Sequence, residues 1–186
     1  LMDTIIERRI DGLVLASRMK LEDILILKKE HIPFIYVNND VPDPEVICIF
    51  SNHFISSYKV TKHLIELGHK RIALITDNIG IGSAHIILST YRFIHQKYNL
   101  QVNEAFIKQG ELGCDTGEKI MKELLNLPER PTAVFAWDDV IAIGAIRAIW
   151  DAGLKVPEDI AVVGQGNLEL PVGISLTSVD NKSVET

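Results

Sequence analysis

His63-Leu64-Ile65-Glu66-Leu67-Gly68-His69-Lys70-Arg71-Ile72-Ala73-Leu74-Ile75 joins the end of a helix to a buried strand within one phrase. Gly68 is the expected stop, because glycine turns into the left-handed conformation just past a helix C-terminus without a Cβ penalty. Ile72-Ala73-Leu74-Ile75 is a near-continuous apolar run, the pattern of a strand covered on both faces. The coupling recurs downstream. Pro131-Thr132-Ala133-Val134-Phe135-Ala136-Trp137-Asp138-Asp139 leads from a strand into a helix, and Val156-Pro157-Glu158-Asp159-Ile160-Ala161-Val162-Val163-Gly164 leads into another strand.

Working outward, residues 3–10 read as the end of an amphipathic helix, 12–16 as a buried strand, 21–30 as a helix and 33–37 as a strand. Asn, Asp and Pro make 38–44 a loop. Residues 46–50 form a strand, and Ser51-Asn52 cap a helix that runs to Leu67. Beyond the opening phrase come a strand at 71–76, a Gly-rich loop at 77–82, a helix at 83–98, a strand at 105–109 and a helix at 115–125. A strand at 132–136, a helix at 138–152 closed by Gly153, and a strand at 160–164 complete the series. Alternation at this spacing predicts an α/β fold of parallel sheets wound on both sides with right-handed crossovers.

The chain has 186 residues, 47% hydrophobic and 24% charged, enough for one domain or two small lobes. No apolar run approaches the ~18–20 residues of a membrane span, and no basic segment followed by an apolar stretch marks an export signal. Cys48 and Cys114 lack a CxxC spacing and read as reduced thiols of a cytoplasmic protein. The net charge of −6 gives no electrostatic footprint for nucleic acid, so these residues alone are not expected to bind DNA.

The Leu-Gly-His-basic-basic-Ile-Ala wording of 63–75, the Pro-Thr-Ala phrase ending in Asp138-Asp139, the Val-Pro-Glu-Asp-Ile-x-Val-Val-Gly phrase of 156–164 and Leu176-Thr177-Ser178-Val179 occur in order across the chain. Together they resemble the effector-binding core of the lactose/galactose-repressor family. The resemblance implies two doubly wound parallel-sheet lobes of the periplasmic-binding-protein-like type I fold, truncated at both ends. It divides the chain into a first lobe, 1–69, a second lobe, 70–173, and a return segment, 174–186. It also implies a small effector bound between lobes, a homodimer built through flanking helices including 3–10 and 53–67, and operator DNA held by a helix-turn-helix that this sequence lacks. The opening at Leu1 inside a helix, and the helix-like start at 181–186, read as cuts from a longer protein.

Within the implied pocket the wording departs from the sugar-binding pattern. The usual Arg of the helix after the first crossing is Ile87, and the Gly-aromatic pair is Thr90-Tyr91. The usual Phe-Asp-Asp after Gly164 is Gln165-Gly166-Asn167, and the first-lobe Asp is Asn52, followed by His53. Losing that Arg and Asp removes two charge-assisted hydrogen bonds. The Gly-x-Gly-Asn wording resembles a gluconate-responsive subset, so a sugar acid leads among effectors.

Ligands of doubly wound sheets bind beyond the carboxyl ends of strands. That rule selects Ser17, Arg18, Asn38, Asn52, Asp77, Glu111, Leu112, Asp138, Asp139 and 165–167. The resemblance aligns Asp138 with an effector-contacting position, while the residue itself is also a helix cap. Asp77 to Ser83 can hold an anion before a helix N-terminus or be a plain loop. Trp137 can stack on a ring or pack in the core. Arg18 is the cation for an acidic effector, or an exposed surface residue. The effector set is therefore Ser17, Arg18, Asn52, Asp77, Ser83, Leu112, Trp137, Asp138, Gly166 and Asn167.

His53, His63 and His69 have no metal-site spacing, and no cofactor is expected. There is no Gly-x-Ser-x-Gly elbow, no P-loop and no third glycine of a dinucleotide fingerprint, so an enzyme is not expected. Two binding functions remain: the core of a ligand-responsive repressor, and a sugar receptor of a transport system without DNA-binding heads.

Overall fold

The structure, a computed structural model, describes residues 4–5, 10–16, 20–37, 45–49, 51–78, 83–170 and 173–181. The chain divides into two compact units, Leu1–Ser51 and Asn52–Thr186.

In the first unit, β1 (Leu13–Leu15), β2 (Phe34–Val37) and β3 (Ile47–Ile49) form a parallel sheet in the order β1-β2-β3, with Leu13 opposite Phe34 and Ile35 opposite Ile47. Helix α1 (Leu21–Lys29) buries Ile24 and Leu27, one turn apart. It carries Glu22 and Asp23 in its first turn and Lys28 and Lys29 in its last, the arrangement its dipole favours. His31 closes it at φ 55°, with its N–H donating to Lys28 and that of Ile32 to Leu27.

The second unit carries a five-stranded parallel sheet in the order β5-β4-β6-β7-β8. Its strands are β4 (Ile72–Thr76), β5 (Ile107–Gln109), β6 (Ala133–Ala136), β7 (Ala161–Gln165) and β8 (Thr177–Val179). Its helices are α2 (His53–Glu66), α3 (Ala84–Lys97), α4 (Cys114–Leu125) and α5 (Asp139–Asp151). All residues of β4, β6 and β7 are buried, as strands sandwiched between helical layers must be.

Alternation divides the strand residues between two cores. Ala73, Ile75, Val134, Ala136 and Val162 face α4 and α5, packing with Ile120, Met121, Leu124, Ile141 and Ile146. Ile72, Leu74, Ala133, Phe135, Ala161 and Val163 face Val60 and Leu64 of α2 and Ile87 and Tyr91 of α3. The sheet is thus doubly wound, and α2 groups with it because its apolar stripe is buried there. Helices α4 and α5 touch backbone to backbone, since a Cβ at Gly117 would collide with the Ile141 carbonyl and one at Gly144 with the Cys114 carbonyl.

The helix ends obey a common rule. Gly68 (φ 93°) and Gly153 (φ 74°) stop α2 and α5 as expected. In each case the next N–H reaches back five residues in the chain, His69 to Leu64 and Leu154 to Ile149. Asn99, at φ 54°, performs the same turn after α3. A short 3-10 turn, Glu104–Phe106, occupies the start of the expected 105–109 strand, because Asn103 accepts the Ala105 N–H and turns the chain before β5 begins.

Candidate functional site

Parallel strands of equal register bring residues from distant parts of the sequence to one edge. Ile75 pairs with Ala136, Phe135 with Val163 and Gln165 with Val179. The carboxyl ends of β4, β6, β7 and β8 therefore carry Thr76, Trp137, Gln165 and Val179 along one line. The N-terminus of α2 joins this edge, with Gln165 Nε2 lying 3.3 Å from His53 Nδ1.

Three buried polar atoms along this line have no hydrogen-bond partner among the described residues: Thr76 Oγ1, Trp137 Nε1 and Gln165 Oε1. Ser57 Oγ and Thr61 Oγ1, on the α2 face that carries Leu64, share that condition. Buried polar groups are almost always paired, because an unpaired one costs about 1–3 kcal/mol. A concentration of them in one place therefore marks where a protein has kept its hydrogen-bonding capacity for something else.

Asp138 caps α5 as expected: its Oδ1 accepts the Val140 N–H at 2.8 Å. Burial raises its carboxyl above the usual range, the Val140 bond opposes this, and the neighbouring Asp139 adds to it. Asn52 is an exposed cap, accepting the Ile55 N–H at 3.1 Å. It lines a cavity of about 110 Å³ with Lys59, Val179 and Asn181. Trp137 is half-buried and packs against both cores while its Nε1 stays unpartnered. Asp77 accepts the N–H of Asn78 at 2.7 Å.

Gly166 (φ 130°) and Asn167 (φ 55°) turn the chain as it leaves β7, and both are exposed. Leu112 is 57% exposed beyond β5. Ser83 precedes α3 without making a side-chain cap bond. Ser17, Arg18 and Asn38, together with 79–82 of the expected anion loop, lie outside the described residues.

Sequence reasoning missed Thr76 and Gln165 as unpartnered groups. It placed Gln165 at the edge, but no pattern announces that a strand-end side chain will lack a partner. It also missed the role of Asp139, which is fully buried and accepts from Ser178 Oγ at 2.7 Å and from the Leu168 N–H at 2.8 Å.

A cavity of about 480 Å³ lies at the opposite, amino edge, lined by Arg71, Tyr91, His95, Asn103 and Glu104 among others. Several of its polar side chains are engaged. Arg71 donates to the Arg130 carbonyl, Tyr91 to that of Ile72, His95 to that of Tyr91, and Arg92 pairs with Glu104. The carboxyl edge is the stronger candidate because three of its buried polar atoms have no partner among the described residues.

Among the described residues no three His, Cys, Asp or Glu side chains are placed to hold a metal ion, and no helix is long and apolar enough to cross a membrane.

A family model described as a periplasmic binding protein-like domain matches residues 61–185. The chain belongs to that family. Within the periplasmic-binding-protein-like family its relatives are repressors of the lactose/galactose type. The HTH-type transcriptional repressor CytR of Escherichia coli K12 is 32% identical over 170 residues, covering 91% of this chain and 50% of CytR. The HTH-type transcriptional repressor PurR of Aliivibrio fischeri MJ11 is 34% identical over 168 residues, covering 88% and 50%. The solved complex of the transcriptional regulator CelR with cellobiose is 28% identical with a TM-score of 0.80, covering 89% of this chain and 52% of that one. The chain thus spans half the length of the two repressors. The doubly wound sheet and the expected family agree.

Proposed function

We propose that this chain is the effector-binding and dimerisation core of a cytoplasmic, ligand-responsive repressor, whose operator affinity shifts when a small sugar or sugar acid binds. The effector is held at the carboxyl edge of the five-stranded sheet by Asn52, Asp77, Trp137, Asp138, Gly166 and Asn167, with Thr76 and Gln165 added to the expected set. Ser17, Arg18, Ser83 and Leu112 remain members of that set. Operator DNA is read by a helix-turn-helix elsewhere in the protein, in a homodimer.

The observation that carries this reading is the line of unpartnered atoms on β4, β6 and β7. It offers a hydroxyl at Thr76, a donor at Trp137 and an acceptor at Gln165. Hydroxyl groups both donate and accept, so a polyol meets all three. The Trp137 ring beside this line supplies the apolar face on which a sugar ring packs. The repressor relatives and the CelR complex with cellobiose support a regulator over a transport receptor.

A thermal-shift panel of neutral sugars, sugar acids and sugar phosphates tests the reading. Binding to the native state raises stability by about 2.7 kcal/mol at a hundredfold excess over Kd. A shift with a hydroxyl-rich member is expected. A protein that responds to none, or to inorganic phosphate alone, overturns it.

A further inference from the structure

We infer that Asp139 is a positioning residue that shapes the Gly166–Asn167 turn and ties it to strand β8, without touching the effector itself. This rests on the reading of the carboxyl edge as the effector site. Asp139 opens α5 directly after the capping Asp138, yet its side chain points away from solvent and is fully buried. Its two oxygens serve two different segments. Oδ2 accepts the Leu168 N–H at 2.8 Å, and Oδ1 accepts the Ser178 hydroxyl at 2.7 Å. That hydroxyl also accepts the Asn167 N–H at 3.0 Å. Two successive backbone N–H groups of the turn are thereby fixed, one directly and one through Ser178.

The surroundings are built around this carboxyl group. Ser178 sits opposite Gly164 in the β7–β8 pairing. A Cβ at Gly164 would collide with Asp139 Oδ1, and one at Gly166 would stand 3.4 Å from Oδ2. The glycines of Val163-Gly164-Gln165-Gly166 thus leave room for the carboxyl group as well as for the turn. Asn167 holds a left-handed φ of 55°, a conformation that costs a non-glycine residue free energy and persists where its surroundings enforce it. The bond from its N–H to Ser178 is such an enforcement. A carboxyl group that buries no cation beside it, among the described residues, and spends both oxygens on one turn and one strand is placed to set geometry.

The test uses Asp139→Asn, which keeps the shape but replaces one acceptor by a donor, and the milder Ser178→Ala, with Ser178→Thr to restore the hydroxyl. The first readout needs no ligand: amide hydrogen exchange at Asn167 and Leu168 in the full protein. Both amides are expected to exchange at least tenfold faster in Asp139→Asn. In Ser178→Ala the acceleration is expected at Asn167, with recovery in Ser178→Thr. The second readout is affinity for D-glucose and D-gluconate as probes, well below the melting temperature. A loss of about tenfold is expected, the scale of a hydrogen bond to a charged group, with the double variant no weaker than Asp139→Asn alone.

Unchanged exchange at Asn167 in Ser178→Ala overturns the inference, even if Asp139→Asn fails to fold. A variant with faster exchange and unchanged probe affinity overturns it as well. If neither probe binds the unaltered protein, the effector reading is what fails, and the exchange data alone decide whether Asp139 fixes the turn.

Discussion

The two edges of the five-stranded sheet treat their polar groups in opposite ways. At the amino edge a series of polar groups is paired. His69 Nδ1 and Thr132 Oγ1 are hydrogen-bonded at 3.0 Å, the Thr132 N–H donates to the Arg71 carbonyl at 2.8 Å, and Arg71 Nε donates to the Arg130 carbonyl at 3.0 Å. The Ala161 N–H donates to the Thr132 carbonyl at 3.1 Å, and Asp159 accepts the Lys155 N–H at 2.8 Å. Most of these residues belong to phrases that carry the family resemblance. Those phrases sew β4, β6 and β7 together where the strands begin. At the carboxyl edge Thr76, Trp137 and Gln165 end the same strands with polar atoms unpaired. The phrases that identify the fold therefore include the contacts that join the strands where they begin.

One substitution made at both edges breaks or confirms this contrast. Thr132→Val removes the partner of His69 and is expected to destabilise the protein by about 1–2 kcal/mol, leaving a ring nitrogen without its hydrogen bond. Its effector affinity is expected to stay within twofold, since the change is at the far edge. Thr76→Val removes a hydroxyl that is buried and unpartnered, and a β-branched residue suits the strand. It is expected to leave stability unchanged or raise it by up to about 1 kcal/mol, while weakening effector binding. Urea unfolding of both variants, with binding measured in parallel, checks the pair. Equal destabilisation by the two would show that Thr76 has a partner after all, and the edges would no longer differ.

Much of the fold was legible because its signals are local. Gly68, Gly153, Asn52 and Asp138 each act within one helical turn, and the apolar runs of β4, β6 and β7 need only the two-residue alternation of a strand. His31 was not legible as a helix stop, because a histidine at positive φ is uncommon and nothing beside it announces the turn. Asn103 turned the chain one residue too early for the expected strand, through a side-chain bond that propensity does not weigh. The site was legible only as strand ends. The carboxyl-end rule named Asn52, Asp138, Asp139 and Gly166 because strand ends can be read from sequence. It gave Asp139 no role of its own, since the contacts that define it come from 29 and 39 residues away. Burial without a partner, the property that distinguishes Thr76 and Gln165, depends on the whole fold and has no local signature.

The histidines offer the smallest and subtlest separation of the edges. His53 lies at the carboxyl edge, His69 and His95 at the amino edge, and burial lowers all three below the ordinary histidine range, with His63 adding to the effect at His69 and the bond to the Tyr91 carbonyl opposing it at His95. For a group whose folded pKa is depressed, the unfolded chain takes up the proton first as pH falls. The stability it supports is complete above the ordinary histidine value of 6.5 and is lost as pH falls from there through the folded pKa. Melting temperature is therefore expected to fall between pH 7.5 and 5. His95→Gln, which keeps a donor for the Tyr91 carbonyl, is expected to flatten that fall because His95 is the most deeply buried of the three. Effector binding in the same variant should keep the pH dependence of the unaltered protein, since His95 is on the amino side of the sheet. His53→Gln is expected to do the reverse, altering the pH dependence of binding through its contact with Gln165 while flattening the melting curve less. If both variants change binding alike, protonation couples across the sheet, and the division of labour between its edges is weaker than their hydrogen bonding indicates.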